Sequence, residues 1–230
     1  MLAYQRIMYR ERILREPPRE VRVRWKRIGK AVHYYGSLAS GFARRQKWER
    51  YDLAITADKE LQYISRVPGL RVLSTTHGCD PNLSFKLGTP YNDGIMFDGA
   101  RASTLDITRL KRALLPEKIL AINTGWGSNP RIDYGCADMV MVESFIGSHN
   151  DDGRYPVDYF VRPPELDMEK VLALKTFGYK VIALTYGPSE DWLFCEKCLE
   201  LAARCGADYF IYTQPPGWEM PGSGYRFWAG

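Results

Sequence analysis

The sequence predicts an α/β protein built as a compact (β/α)8 TIM barrel in which some helices are short or missing. Three observations lead there. Eight short β-like runs recur along the 230 residues, and most are continuously apolar rather than alternating, as in strands buried on both faces of a parallel sheet. Helix-like segments separate several of them, and repeated β–loop–α units leave either an open doubly wound sheet or a closed barrel. No GxGxxG or GxxxxGK[ST] follows the first run, which disfavours the nucleotide-binding open sheet. Eight is the barrel number, and the roughly 200 residues spanned are the short end of the barrel range.

The runs, in order, are KAVHYY (30–35), DLAIT (52–56), RVLSTT (71–76), DGIMFD (93–98), KILAIN (118–123), DMVMVE (138–143), KVIALTY (180–186) and DYFIYTQ (208–214). Several begin after Gly, Pro or a charged residue, where a helix end turns into a strand. Helices are expected in ADKELQYISRVPG, TLDITRLKRALLPE, ELDMEKVLALKTFGY and SEDWLFCEKCLELAARCGA, the last with Ser189 as N-cap and acids in its first turn. Residues 77–92 and 124–137 read as loops. The longest connection, 144–165, carries Phe145, Tyr155, Tyr159 and Phe160 and reads as a substrate-binding flap. Residues 30–230 are taken as one barrel domain and residues 1–29 as a basic arm.

With 45% hydrophobic and 26% charged residues the composition is that of an ordinary globular protein. No apolar run approaches the roughly 18–20 residues of a transmembrane helix. The start of the chain lacks the apolar core of a secretory signal, so the expectation is a cytoplasmic protein, or an exported one whose leader precedes this sequence. The net charge of +5 is concentrated at the start: residues 1–30 carry ten Lys and Arg against three Glu, or +7, which leaves −2 on the rest. The main body is therefore no polyanion binder, and no nucleic-acid partner is expected. The arm reads as a solvated, partly helical segment packed on a domain or a neighbour, and the alternative is an arm that docks the barrel on an anionic surface, membrane or nucleic acid. Cys195, Cys198 and Cys205 lie on an amphipathic pattern with no second ligand pair, so they read as small buried thiols rather than a zinc site. No cofactor or metal is expected.

In a barrel every strand ends on one rim, so strand-end residues converge whatever their sequence separation. The rim collects Tyr34 and Tyr35 from the first strand, His77 after the third, Asp98 and Arg101 at the fourth, and Asn123 and Trp126 at the fifth. Glu143 follows from the sixth, Tyr186 from the seventh, and Tyr212 and Gln214 from the eighth. Aromatic faces stack on sugar rings, and amides and hydroxyls match sugar hydroxyls. A phosphate binder would want Gly-rich turns instead. Asp98 and Glu143 end two buried runs two strands apart, about 9–10 Å between backbones. Paired carboxylates that can lean together suit glycoside hydrolysis, by retention or by inversion. The apolar flanks of Glu143 suit a general acid, and Gly99 and Arg101 beside Asp98 suit an ionised nucleophile or base. Other chemistries lack parts: there is no HxH or HExxH, no strand-end Lys and no GxSxG.

The strand ending DGIMFDG, the INTGWG after the fifth strand, the VMVESF strand and the closing ALTYGPSED and ADYFIYTQ resemble glycoside hydrolase family 114, the endo-α-1,4-polygalactosaminidase-like barrels. The likeness spans roughly residues 30–214. It implies a catalytic Asp and Glu at the fourth and sixth strand ends, here Asp98 and Glu143, and an α-linked oligo- or polysaccharide substrate, amino-sugar polymers included. The chain departs from the family in carrying ARAST after DG where further acids are common. The competing reading is a non-catalytic barrel that binds a saccharide or a protein.

Overall fold

The apolar runs form strands where the sequence places them, because each is flanked by turn-forming or charged residues and has no helical periodicity to compete. The computed structural model describes residues 28–34, 48–56, 61–76, 82–98, 104–123, 134–149, 159–187 and 191–213. The strands are β1 (Gly29–Tyr34), β2 (Leu53–Thr56), β3 (Arg71–Thr76), β4 (Gly94–Asp98), β5 (Ile119–Asn123), β6 (Met139–Val142), β7 (Gly147–His149), β8 (Tyr159–Val161), β9 (Lys180–Tyr186) and β10 (Tyr209–Thr213). Eight of them close into a parallel barrel in the order β1-β10-β9-β6-β5-β4-β3-β2, while β7 and β8 pair as a separate antiparallel ribbon. The predicted (β/α)8 barrel is the observed fold.

The helices are α1 (Leu61–Ile64), α2 (Leu83–Gly88), α3 (Thr104–Ala113), α4 (Pro164–Thr176) and α5 (Trp192–Arg204). Helix α2 corrects the loop expected over 77–92: six residues are too few to show a helical period, and tertiary contact holds it, with buried Lys86 donating to the Thr75 carbonyl at 2.5 Å. The N-cap of α5 is Asp191, whose carboxylate accepts from the Phe194 N–H at 3.1 Å. Ser189, expected in that role, lies outside the described residues, as do residues 1–27. Cys195, Cys198 and Cys205 are buried in or just after α5, and burial pushes their thiols up, Cys205 to about 12.

Two apolar layers follow from strand alternation. One set, with a member on each of the eight barrel strands, fills the barrel: Ala31, Leu53, Leu73, Met96, Ala121, Met141, Ile182 and Ile211 represent it. The alternate residues, among them Ile95, Ile122, Val140, Val181 and Phe210, pack outward against the helices. Gly94 is required by close approach, since an added Cβ would lie 2.0 Å from the Ile119 carbonyl oxygen.

The N-terminal rim carries a repeated staple. Asp52, Asp93, Asp138 and Asp208 each precede a strand, and each carboxylate accepts the backbone N–H of the neighbouring strand, at Lys30, Val72, Leu120 and Val181, over 2.7–2.8 Å. Lys111 and Lys175 pair with Asp138 and Asp208 at 2.6 and 2.7 Å. These acids hold strands in register. Asp93 and Asp138 line an open cavity of about 560 Å3 with Arg71, Glu117 and Lys180, on the face where barrel residues serve stability.

Candidate active site

The alternation that fills the barrel also aims the strand ends. Asp98 is two residues beyond Met96, Asn123 two beyond Ala121, Glu143 two beyond Met141, and Tyr186 two beyond Leu184, and all four of those apolar residues face the interior. The four polar groups therefore crown the core at the C-terminal rim.

They form one hydrogen-bonded unit. The Asn123 Nδ2 donates to Asp98 Oδ1 at 3.1 Å and to Glu143 Oε2 at 3.0 Å. Laid end to end these bonds limit the two oxygens to about 6.1 Å, and an ideal angle of about 120° between the two amide hydrogens corresponds to about 5.3 Å. The Tyr186 hydroxyl donates to Glu143 Oε1 at 2.8 Å. Glu143 thus has both oxygens engaged by donors, a set that supports a carboxylate.

Asp98 is the more proton-retentive partner. Burial first, and the Glu143 charge second, raise its pKa from 3.8 to about 7, against a smaller lowering by the Asn123 hydrogen bond. This reverses the electrostatic expectation for Asp98, which rested on Gly99 and Arg101 favouring the ionised form. What decides is the apolar floor beneath Asp98 and the second acid beside it. Asp98 therefore keeps its proton up to about neutral pH.

The backbone leaves this site through a strained turn. Ser144 and Ile146 have φ of 59° and 64°, a region that costs a non-glycine residue on the order of 1–3 kcal/mol and suits a β-branched one least. The flanking Gly147 is required: an added Cβ would lie 2.1 Å from the Tyr186 carbonyl oxygen. The turn leads into β7, whose ladder with β8 organises part of the connection expected to be a flap. Residues 150–158 lie outside the described residues.

The structure brings together Asp98, Asn123, Glu143 and Tyr186 of the candidate site residues. Asn123 and Tyr186, expected to bind substrate, make their described contacts to the two acids. Tyr212 is a correction: it alternates with Ile211 and belongs to the outer layer, 4% exposed, edge-on to Phe194 with ring centroids 6.5 Å apart. Tyr34 ends β1, but its side chain lies outside the description, and Tyr35, His77, Arg101, Trp126 and Gln214 lie outside the described residues. Sequence reasoning missed Asp167, 0% exposed on α4, whose carboxylate accepts from the Ile146 N–H at 2.9 Å. In sequence it looks like any first-turn helix acid.

No family model matches the chain, and no curated protein matches it. Solved structures do. The glycoside hydrolase domain of PelA from Pseudomonas aeruginosa superposes with a TM-score of 0.54 at 15% identity, over 81% of this chain and 94% of that one. A variant of the same domain matches to the same extent. The shared feature is the fold. The (β/α)8 barrel implied by the sequence resemblance is thus also the fold of a known glycoside hydrolase domain.

Proposed function

We propose that the protein is a glycoside hydrolase of the retaining type that uses Asp98 and Glu143 to cleave an α-linked polysaccharide, amino-sugar polymers included. The observation that carries this reading is the Asn123 bridge, whose two bonds of 3.1 and 3.0 Å keep the bridged carboxyl oxygens within about 6.1 Å of each other, about 5.3 Å for an ideal amide angle. Retaining enzymes hold their two carboxyl groups about 5–5.5 Å apart, and inverting ones about 6.5–9.5 Å apart to admit a water. The substrate class is supported by the sequence resemblance and by likeness to a domain described as a glycoside hydrolase.

The chemistry asks for one proton and one charge, and the pair carries both at neutral pH. One carboxyl gives its proton to the glycosidic oxygen as that bond breaks. The other carboxylate attacks the anomeric carbon and forms a glycosyl ester. Water then gives a proton to the first group and its oxygen to the anomeric carbon, and the ester oxygen leaves as carboxylate. Esterification removes one negative charge, so the other carboxyl loses the repulsion that held its proton and stays ionised, available as the base of the second step.

The test incubates the wild type, Asp98→Asn and Glu143→Gln with a panel of amino-sugar and neutral α-linked polysaccharides and quantifies new reducing ends. Wild-type cleavage that falls by about 10³-fold or more in both variants is expected. Azide added to the inactive variants identifies the nucleophile: its replacement lets azide attack and release a glycosyl azide of inverted configuration. Equal product from all three proteins refutes the assignment. Saccharide binding without cleavage in the wild type favours the binding-module reading.

A further inference from the structure

We propose that Asp167 is a positioning residue for Glu143: from the first turn of α4 it holds the left-handed turn that follows Glu143, and thereby fixes where the Glu143 carboxylate stands relative to Asp98. The inference rests on the reading of Asp98 and Glu143 as the hydrolytic pair, and its test needs no substrate.

The turn is tied through both backbone groups of Phe145 and both of Ile146. The Phe145 N–H donates to the Leu184 carbonyl at 2.7 Å, and the Phe145 carbonyl accepts from Thr185 Oγ1 and the Gly147 N–H, each at 2.7 Å. The Ile146 carbonyl accepts from the Arg162 N–H at 2.7 Å. The Ile146 N–H, on a residue with φ of 64°, donates to Asp167 Oδ2 at 2.9 Å. Among the described residues this is the turn's one bond to a carboxylate, and a charge-assisted bond is roughly twice as strong as a neutral one.

Asp167 is placed against the ordinary preference of its residue type. An acid in a first helical turn gains from the helix dipole while still solvated, whereas Asp167 is 0% exposed. Its charge is met by Lys170 Nζ at 3.1 Å and Arg162 Nη2 at 3.5 Å, both on Oδ1, which leaves Oδ2 to the turn. Desolvating a carboxylate is costly unless it is paired and bonded in this way. The arrangement holds a conformation that Ile146 resists by itself.

The consequence reaches the site from two sides. Glu143 is the residue before the turn, so release of the turn moves its backbone. Leu184 and Thr185, which receive the turn, precede Tyr186, the donor to Glu143 Oε1, and Gly147 packs on the Tyr186 carbonyl. Asp167 therefore touches neither acid, yet controls their separation.

The experiment is a carboxyl 13C NMR titration of Asp98 in the wild type, Asp167→Asn, Asp167→Leu and Thr185→Val, with folding verified from the amide spectrum. Asparagine keeps an acceptor oxygen for Ile146, so the Asp98 midpoint should stay at its wild-type value. Leucine fills the space without an acceptor, Glu143 moves away, and the midpoint should fall by about half a pH unit or more as its repulsion weakens. A folded Asp167→Leu protein with the wild-type midpoint overturns the proposal. So does an Asp167→Asn protein that falls as far as the leucine variant, because the hydrogen bond would then not be the cause. If Asp167→Leu does not fold, Thr185→Val, which releases the other side of the turn at constant volume, decides by the same readout: a fall supports the proposal and no change overturns it. Inactivity of the wild type on every polysaccharide would refute the hydrolase reading and leave this titration to decide the positioning role separately.

Discussion

Replacing Glu143 by Gln should lower the pKa of Asp98 by about two units, from about 7 to about 5. The two oxygens bridged by Asn123 are about 5.3 Å apart for an ideal amide angle. Two unit charges at that distance repel by about 3 kcal/mol at an effective dielectric constant of about 20. At 1.36 kcal/mol per unit this is about two pH units, and water reaching the half-buried Asp98 makes it an upper value. Gln is isosteric and keeps an oxygen for the Asn123 amide, so the bridge survives while the charge goes. Burial, the larger cause, is untouched, so the midpoint should remain above the ordinary 3.8. The assay is a carboxyl 13C titration of Asp98 in folded wild type and variant. A midpoint that stays at about 7 would mean that burial alone raises it. A midpoint that falls to 3.8 would mean that burial contributes nothing. Either result refutes the account of the pair.

Three further outcomes follow from the same geometry. Asp98 binds its proton more tightly folded than unfolded, so stability is lost as pH rises from about 4 to about 7. Asp98→Asn should therefore stabilise the protein at pH 8, by as much as about 4 kcal/mol, and give no gain at pH 3; denaturant melts showing an equal gain at both would break the linkage argument. Gly147→Ala should cost about 2 kcal/mol or more, since the new Cβ meets a backbone oxygen that cannot swing aside, and an unchanged melting temperature would contradict the contact. Asp138→Ala leaves the Leu120 N–H without its acceptor and takes one of two acceptors from Lys111 at the far rim, so it should cost about 1–3 kcal/mol while the Asp98 titration stays as in the wild type. A shifted titration would couple the two rims.

The two acids could be picked out from sequence because each ends an apolar run, and a run's end is visible without knowing its neighbours. The same property hid the third dimension. In a strand apolar on both faces, nothing in FIYT tells whether Ile211 or Tyr212 looks into the barrel, so Tyr212 was assigned to the rim although it packs outside on Phe194. Asn123 and Tyr186 were legible as polar strand ends, but not as donors to the acids, because that depends on the stagger of β4, β5, β6 and β9. Asp167 was illegible: its partner is a backbone N–H 21 residues away, exposed to it only because the turn bends the wrong way for Ile146.

By itself, the sequence determined the number, order and limits of the barrel strands, since apolar runs and the turn residues between them are local properties of the chain. Closure of the sheet decided the rest. It chose which alternate residues face inward, set the shear that brings Asn123 between Asp98 and Glu143, and raised the proton affinity of Asp98 by burying it beside a second charge. Distances and dielectric surroundings arise between strands and are written in no single one of them.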